Sequence, residues 1–145
     1  MLFMKQASAF FSVFCFFLLG QLPAQSINSI IPAPVKFETV TGASVKLNSN
    51  TVLYYSKAFE MQADYLREEI QKQTGIALVL QETSQLKKQP AKGIFMLCDS
   101  ASINKAEMYI LKSEADKVLL IAKDIRGFVN ATQTLLQLLP LTKQP

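Results

Sequence analysis

The stretch IRGFVNATQTLLQLLP, Ile125 to Pro140, decides the fold. At helical period it carries a single polar stripe, Arg126, Asn130, Gln133 and Gln137, spaced i, i+4, i+7, i+11. Ile125, Phe128, Val129, Ala131, Leu135, Leu136, Leu138 and Leu139 cover most of the remaining circumference. A helix apolar on nearly all sides is buried on nearly all sides. This one is therefore expected to pack on two bodies. Phe128 and Leu135 are assigned to a sheet, and Val129 and Leu136 to a docking surface for a second partner. Gly127, in the first turn, suits a close approach to a neighbouring strand.

Upstream of this helix, Asp124 stands in N-cap position. Met108–Lys112 and Lys117–Ala122 read as two strands joined by the turn Ser113-Glu114-Ala115-Asp116. Ile76–Leu80 and Ile94–Cys98 are short, continuous apolar runs, the pattern of strands covered on both faces. The polar segment Glu82–Lys92 between them reads as a loop, and so does Asp99–Lys105. Ala58–Thr74 changes period: Phe59, Ala63, Leu66 and Ile70 form one apolar face, flanked by Met61 and Tyr65. Ser56 and Gly75 fit its two caps. Before it, Val35–Val40, Ser44–Leu47 and Thr51–Tyr55 read as three strands with tight turns, which implies an antiparallel beginning. The expected architecture is α+β, a mostly antiparallel sheet with two helices packed on one face.

The first residues stand apart. Lys5, the Phe- and Leu-rich run from Ala7 to Gly20 and the exit Leu22-Pro23-Ala24 read as a signal peptide over 1–24, followed by a flexible lead-in over 25–29. The apolar run is shorter than a spanning helix requires; the alternative is an uncleaved anchor. Cleavage after Ala24 implies a secreted or periplasmic protein. It removes Lys5 and no acid, leaving 14 basic and 11 acidic residues. The charges are scattered, without a basic stripe interleaved with aromatics, so no nucleic-acid partner is expected. Cys98 remains as a single cysteine within an apolar run and is expected to be a buried, inert thiol.

The residues that carry chemistry are sparse. Histidine is absent, and there are two cysteines and five glycines in all. Histidine-based triads, His-ligated metals and four-cysteine zinc sites are excluded, and no glycine-rich phosphate loop occurs. No cofactor and no metal are expected. Glu68-Glu69 and Glu114-x-Asp116 are the nearest carboxylate pairs, one on a solvated helix face and one in a turn. Acid–base work needs a raised pKa in a dry cleft, so no catalytic residue is assigned. Asn130-Ala131-Thr132 matches the glycosylation pattern but lies inside the helix, where Asn130 belongs to the polar stripe.

Two ends of this chain carry a resemblance. IIPAPVKFE, Ile30 to Glu38, resembles the opening of the non-catalytic N-terminal domain of β-N-acetylhexosaminidases of glycoside hydrolase family 20. The strand pair before Ala122 and GFVNATQTLLQLLP, Gly127 to Pro140, are similar to its end. The resemblance implies a zincin-like α+β domain over 30–140 that packs its helices against a following (β/α)8 barrel. In that family the barrel removes terminal N-acetylhexosamines, using an Asp-Glu pair and the substrate's own acetamido group. The barrel's motif does not occur in this chain, and no catalytic residue is carried over. Leu141–Pro145 falls where the lead-in to a barrel would begin. The chain is thus expected to be a fragment of such an enzyme, inactive by itself, whose missing partner is the barrel. Self-association through the apolar C-terminal helix is a further expectation. The alternative is a stand-alone secreted module binding a glycan or a protein.

Overall fold

A computed structural model of the chain describes residues 30–38, 45–83 and 90–141. The signal peptide and lead-in expected at 1–29, residues 39–44, most of the polar loop after Glu82 and the tail beyond Leu141 lie outside the described residues. Five strands and two helices follow in the order β1 (Val52–Tyr55), α1 (Glu60–Thr74), β2 (Val79–Glu82), β3 (Gly93–Cys98), β4 (Tyr109–Glu114), β5 (Lys117–Ala122) and α2 (Ile125–Leu138). One 3-10 turn, Lys57–Phe59, leads into α1.

The strands form one sheet in the order β2-β1-β3-β5-β4. β1 pairs parallel with both β2 and β3, β3 pairs parallel with β5, and only β4–β5 is antiparallel. The α+β class with two helices on one face holds, but the sheet is mostly parallel where an antiparallel one was expected. The cause is connectivity. A helix between β1 and β2 returns the chain to its starting end, so the second strand must run beside the first in the same direction. β5 turns back from β4 and inserts beside β3, again parallel to it. The antiparallel expectation rested on strands at Val35–Val40 and Ser44–Leu47. Residues 35–38 and 45–47 are not strands, and Val35 is fully exposed. Val45 and Leu47 instead pack against the core as irregular chain.

Alternation along the strands sorts the interior. Leu53 and Tyr55, Ile94 and Met96, and Val118, Leu120 and Ala122 join one core with Ala63, Leu66 and Ile70 of α1 and Phe128, Ala131 and Leu135 of α2. β3 is central and buried from Gly93 through Met96, as its continuous apolar run implies. Ile76–Leu80 behaves otherwise. Leu78 is buried ahead of the strand and Ile76 packs on the core, while β2 itself starts at Val79 and is a largely exposed edge. Gly75 closes α1 in the left-handed conformation, φ 74°, with its N–H on the carbonyl of Gln71.

α1 and α2 run parallel, side by side. Phe59 meets Phe128 at 4.5 Å between ring centroids, Tyr65 meets Gln133, and Gln73 meets Leu136 and Leu139. Asp124 caps α2 as expected, its Oδ1 accepting from the N–H of Gly127 at 3.0 Å. That hydrogen bond holds the Asp124 carboxyl below the usual carboxylate range. Gly127 fulfils its expected role. A Cβ there would lie 2.6 Å from the Met108 carbonyl oxygen and 2.9 Å from Ala122 Cβ, so only glycine lets the first turn sit this close to the sheet.

Candidate domain-docking face of the helix pair

The polar stripe of α2 is exposed, yet each of its side chains is bonded. Arg126 pairs with the Glu107 carboxylate at 3.2 Å, and Asn130 donates to the Glu107 carbonyl at 3.0 Å. Gln133 donates to the Tyr65 hydroxyl at 2.8 Å. Gln137 holds the backbone of Ile31 through two hydrogen bonds. Each stripe residue thus ties α2 to another segment, which its distance in sequence from those partners conceals. Asn130 is engaged in this network within the helix.

The outer surface of the helix pair is mixed: beside exposed polar residues such as Glu68, Lys72 and Gln133 it carries several exposed apolar side chains. Met61 is 77% exposed, and Tyr65, Ile125 and Val129 also face out. Met61 and Tyr65 stand one turn apart on α1, as do Ile125 and Val129 on α2, so each pair shares a face. Tyr65 and Gln133 join the two rows. Of the two residues expected to dock, Val129 lies on this surface at 40% exposure, but Leu136 does not. Leu136 is 9% exposed and belongs to the core. The reason is Gln73, whose Nε2 donates to the carbonyls of Leu136 at 2.9 Å and Leu139 at 3.1 Å, drawing the end of α1 over that turn. Phe128 and Leu135 pack inward as assigned. Met61, Tyr65 and Ile125 were missing from the sequence assignment; the flanking positions of Met61 and Tyr65 on α1 were the available signal.

Other candidates resolve plainly. Glu69 pairs with Lys72 at 2.7 Å and Asp116 with Lys92 at 3.1 Å, while Glu68 and Glu114 are exposed. These carboxylates sit in water-accessible ion pairs or on open surface, without the dry cleft acid–base chemistry needs. Among the described residues no group of three His, Cys, Asp or Glu side chains could hold a metal ion. No helix among them is long and apolar enough to cross a membrane. Apart from the outward-facing Tyr65, the tyrosines offer little for stacking on a sugar. Tyr54 stacks on Phe95 at 4.8 Å, Tyr55 is buried, and the Tyr109 hydroxyl is bonded to Thr134 at 2.6 Å.

Cys98 overturns its assignment. It is exposed, not buried, because it is the last residue of β3 and stands where cover from the neighbouring elements ends. Its Sγ lies 3.5 Å from the Lys123 carbonyl. Iodoacetamide is expected to alkylate Cys98 in the folded chain, read by mass spectrometry of its peptide; labelling that requires denaturant would contradict the exposure.

Comparison with known proteins places this geometry. Residues 28–144 match the sequence profile of glycosyl hydrolase family 20, domain 2. The chain belongs to the glycosyl hydrolase family 20 domain 2 family. Among curated proteins none matches it in sequence. The family 20 domain is similar to part of a β-N-acetylhexosaminidase from Streptomyces coelicolor, with 25% identity over 78% of this chain and a TM-score of 0.64. It shares its fold with part of an exo β-N-acetylglucosaminidase from Vibrio harveyi, solved as an inactive mutant, at 22% identity over 72% of this chain and a TM-score of 0.56. A β-N-acetylhexosaminidase from Bacteroides fragilis gives 18% identity over 74% and a TM-score of 0.56. The family 20 domain spans only 22%, 15% and 20% of these three solved chains, respectively.

Proposed function

We propose that this family 20 domain is the non-catalytic accessory domain of a secreted β-N-acetylhexosaminidase that degrades glycans. Its outer helix face packs against the catalytic (β/α)8 barrel of that enzyme, and the segment 1–24 directs export to the periplasm or the medium. One observation carries the docking reading: four large side chains, Met61, Tyr65, Ile125 and Val129, face outward from the two helices. Large apolar side chains left exposed together mark a candidate interaction site. The sparse chemistry of the chain agrees with a role in packing, with hydrolysis supplied by the barrel.

The first test reads the gene beyond codon 145 and assays the chain alone beside the full product on a 4-nitrophenyl N-acetyl-β-glucosaminide. A barrel with an Asp-Glu pair downstream, an active full product and an inactive chain are expected. Hydrolysis by the chain alone, or unrelated downstream sequence, would sink the reading and favour a stand-alone module. The second test is Val129→Asp. Valine and aspartate have similar helix propensities, and substitutions on open surface stay within about 0.5 kcal/mol. The variant is therefore expected to leave the Tm of the isolated chain nearly unchanged and to lower that of the full enzyme by several degrees. An equal effect in both would show that Val129 serves the domain's own stability.

A further inference from the structure

Residues 31–38 are exposed throughout, yet Ile30 just before them is only 6% exposed. Among the described residues, the hydrogen bonds from this segment to another element all run to Gln137. The N–H of Ile31 donates to Gln137 Oε1 at 2.8 Å, and Gln137 Nε2 donates back to the Ile31 carbonyl at 2.9 Å. The two residues are 106 positions apart. The other polar contact in the segment, Lys36 with Glu38, is internal to it.

A residue that both gives its N–H and receives at its carbonyl is paired as it would be by a neighbouring antiparallel strand. Residues 30–38 form no strand, so no ladder continues from this pair. A carboxamide carries one acceptor and two donor protons in a single plane, and only Asn and Gln have that set. We propose that Gln137 is a latch. Its side chain substitutes for a strand neighbour, fixes the N-terminal segment to the last turn of α2 and keeps Ile30 seated in the fold. Gln137 is thus a positioning residue, and its role rests on these contacts and not on the docking reading.

The test compares the whole chain with Gln137→Leu, which keeps the bulk without hydrogen bonds, and Gln137→Glu. The readouts are the protection factor of the Ile31 amide and the rate of tryptic cleavage after Lys36. Loss of two hydrogen bonds is expected to lower protection in Gln137→Leu about tenfold or more and to speed cleavage in parallel. The unfolding midpoint of the remaining domain should stay close to that of the parent. In Gln137→Glu the carboxylate still accepts from Ile31 but repels its carbonyl. Acidification restores a donor, so protection should recover as the introduced carboxyl takes its proton, a response the parent and Gln137→Leu should not show. Parent-like protection in Gln137→Leu would mean that burial of Ile30 alone holds the segment, and would overturn the latch. A Gln137→Glu variant whose protection does not rise with acid would do the same.

Discussion

Replacing Phe128 by alanine is expected to remove about 3–5 kcal/mol of stability, read as a lower urea midpoint with an unchanged slope. The ring is fully buried and sits against Phe59 at 4.5 Å with the planes tilted by 57°. Two effects add. Truncation forfeits the transfer free energy of a large aromatic side chain, and the helix pair leaves a cavity because its neighbours are pinned and cannot collapse into it. The pinning is visible on each side: the preceding residue, Gly127, sits against Met108 and Ala122, and Tyr65–Gln133 holds the two helices together. Phe128→Leu should recover a good part of the loss, since most of the volume returns. Domains of this size are stable by roughly 5–15 kcal/mol, so the alanine variant approaches the edge of folding. A loss below about 1 kcal/mol would mean that the two helices do not meet at this ring.

Gly93→Ala is the second large effect, and its origin differs. Gly93 opens β3 with φ at +131°, a region closed to residues with a side chain, and a Cβ there would stand 2.7 Å from the Val52 carbonyl oxygen. It would also lie 2.9 Å from the Tyr54 ring. The ring could swing aside at the expense of its stack on Phe95, but the carbonyl belongs to β1 and moves only with the β1–β3 pairing. Backbone strain of about 1–3 kcal/mol and overpacking of similar size make a combined loss of about 3–5 kcal/mol. Gly75→Ala provides the contrast. Gly75 also has positive φ, but nothing lies within 4 Å of the added carbon, so only the backbone term of about 1 kcal/mol applies. Equal losses at the two sites would show that contact with β1 is not what fixes Gly93.

The sequence was most legible where one segment contains its own explanation. β5 falls on Lys117–Ala122 as read, Asp124 caps α2, and Gly127 seats it, because these depend on neighbours within a few positions or on a residue type with one purpose. Strand direction was not legible in the same way. The alternation at Val35–Val40 is a pattern any half-buried strand would show, but 35–38 has no strand partner and stays in the open. The parallel sheet follows from connectivity across a whole helix, which no local period records. On the candidate site, Val129 was read outward and is outward, whereas Leu136, at the same helical angle two turns on, is roofed by Gln73 from another helix. The polar stripe is bonded at every position, to partners that sequence spacing does not reveal. Cys98 was judged by the company of its apolar run, when its place at the end of the strand decided its exposure.

The position of β3 has a consequence for synthesis. It lies at the centre of the sheet, but the neighbours on its two sides are made at different times: β1 precedes it, while β5 follows after the loop and β4. While a chain is still being translated, Ile94–Cys98 has one edge paired and the other open, and that edge belongs to the most apolar strand of the domain. Open apolar edges recruit foreign strands, so nascent or prematurely terminated chains ending before Lys117 are the species expected to need a chaperone. Centrifugation of chains released at residue 116, against the complete chain, would read this directly as pelleted against soluble product. Completion of β5 closes the edge, and with α2 it brings in the helix whose inner face seals the core.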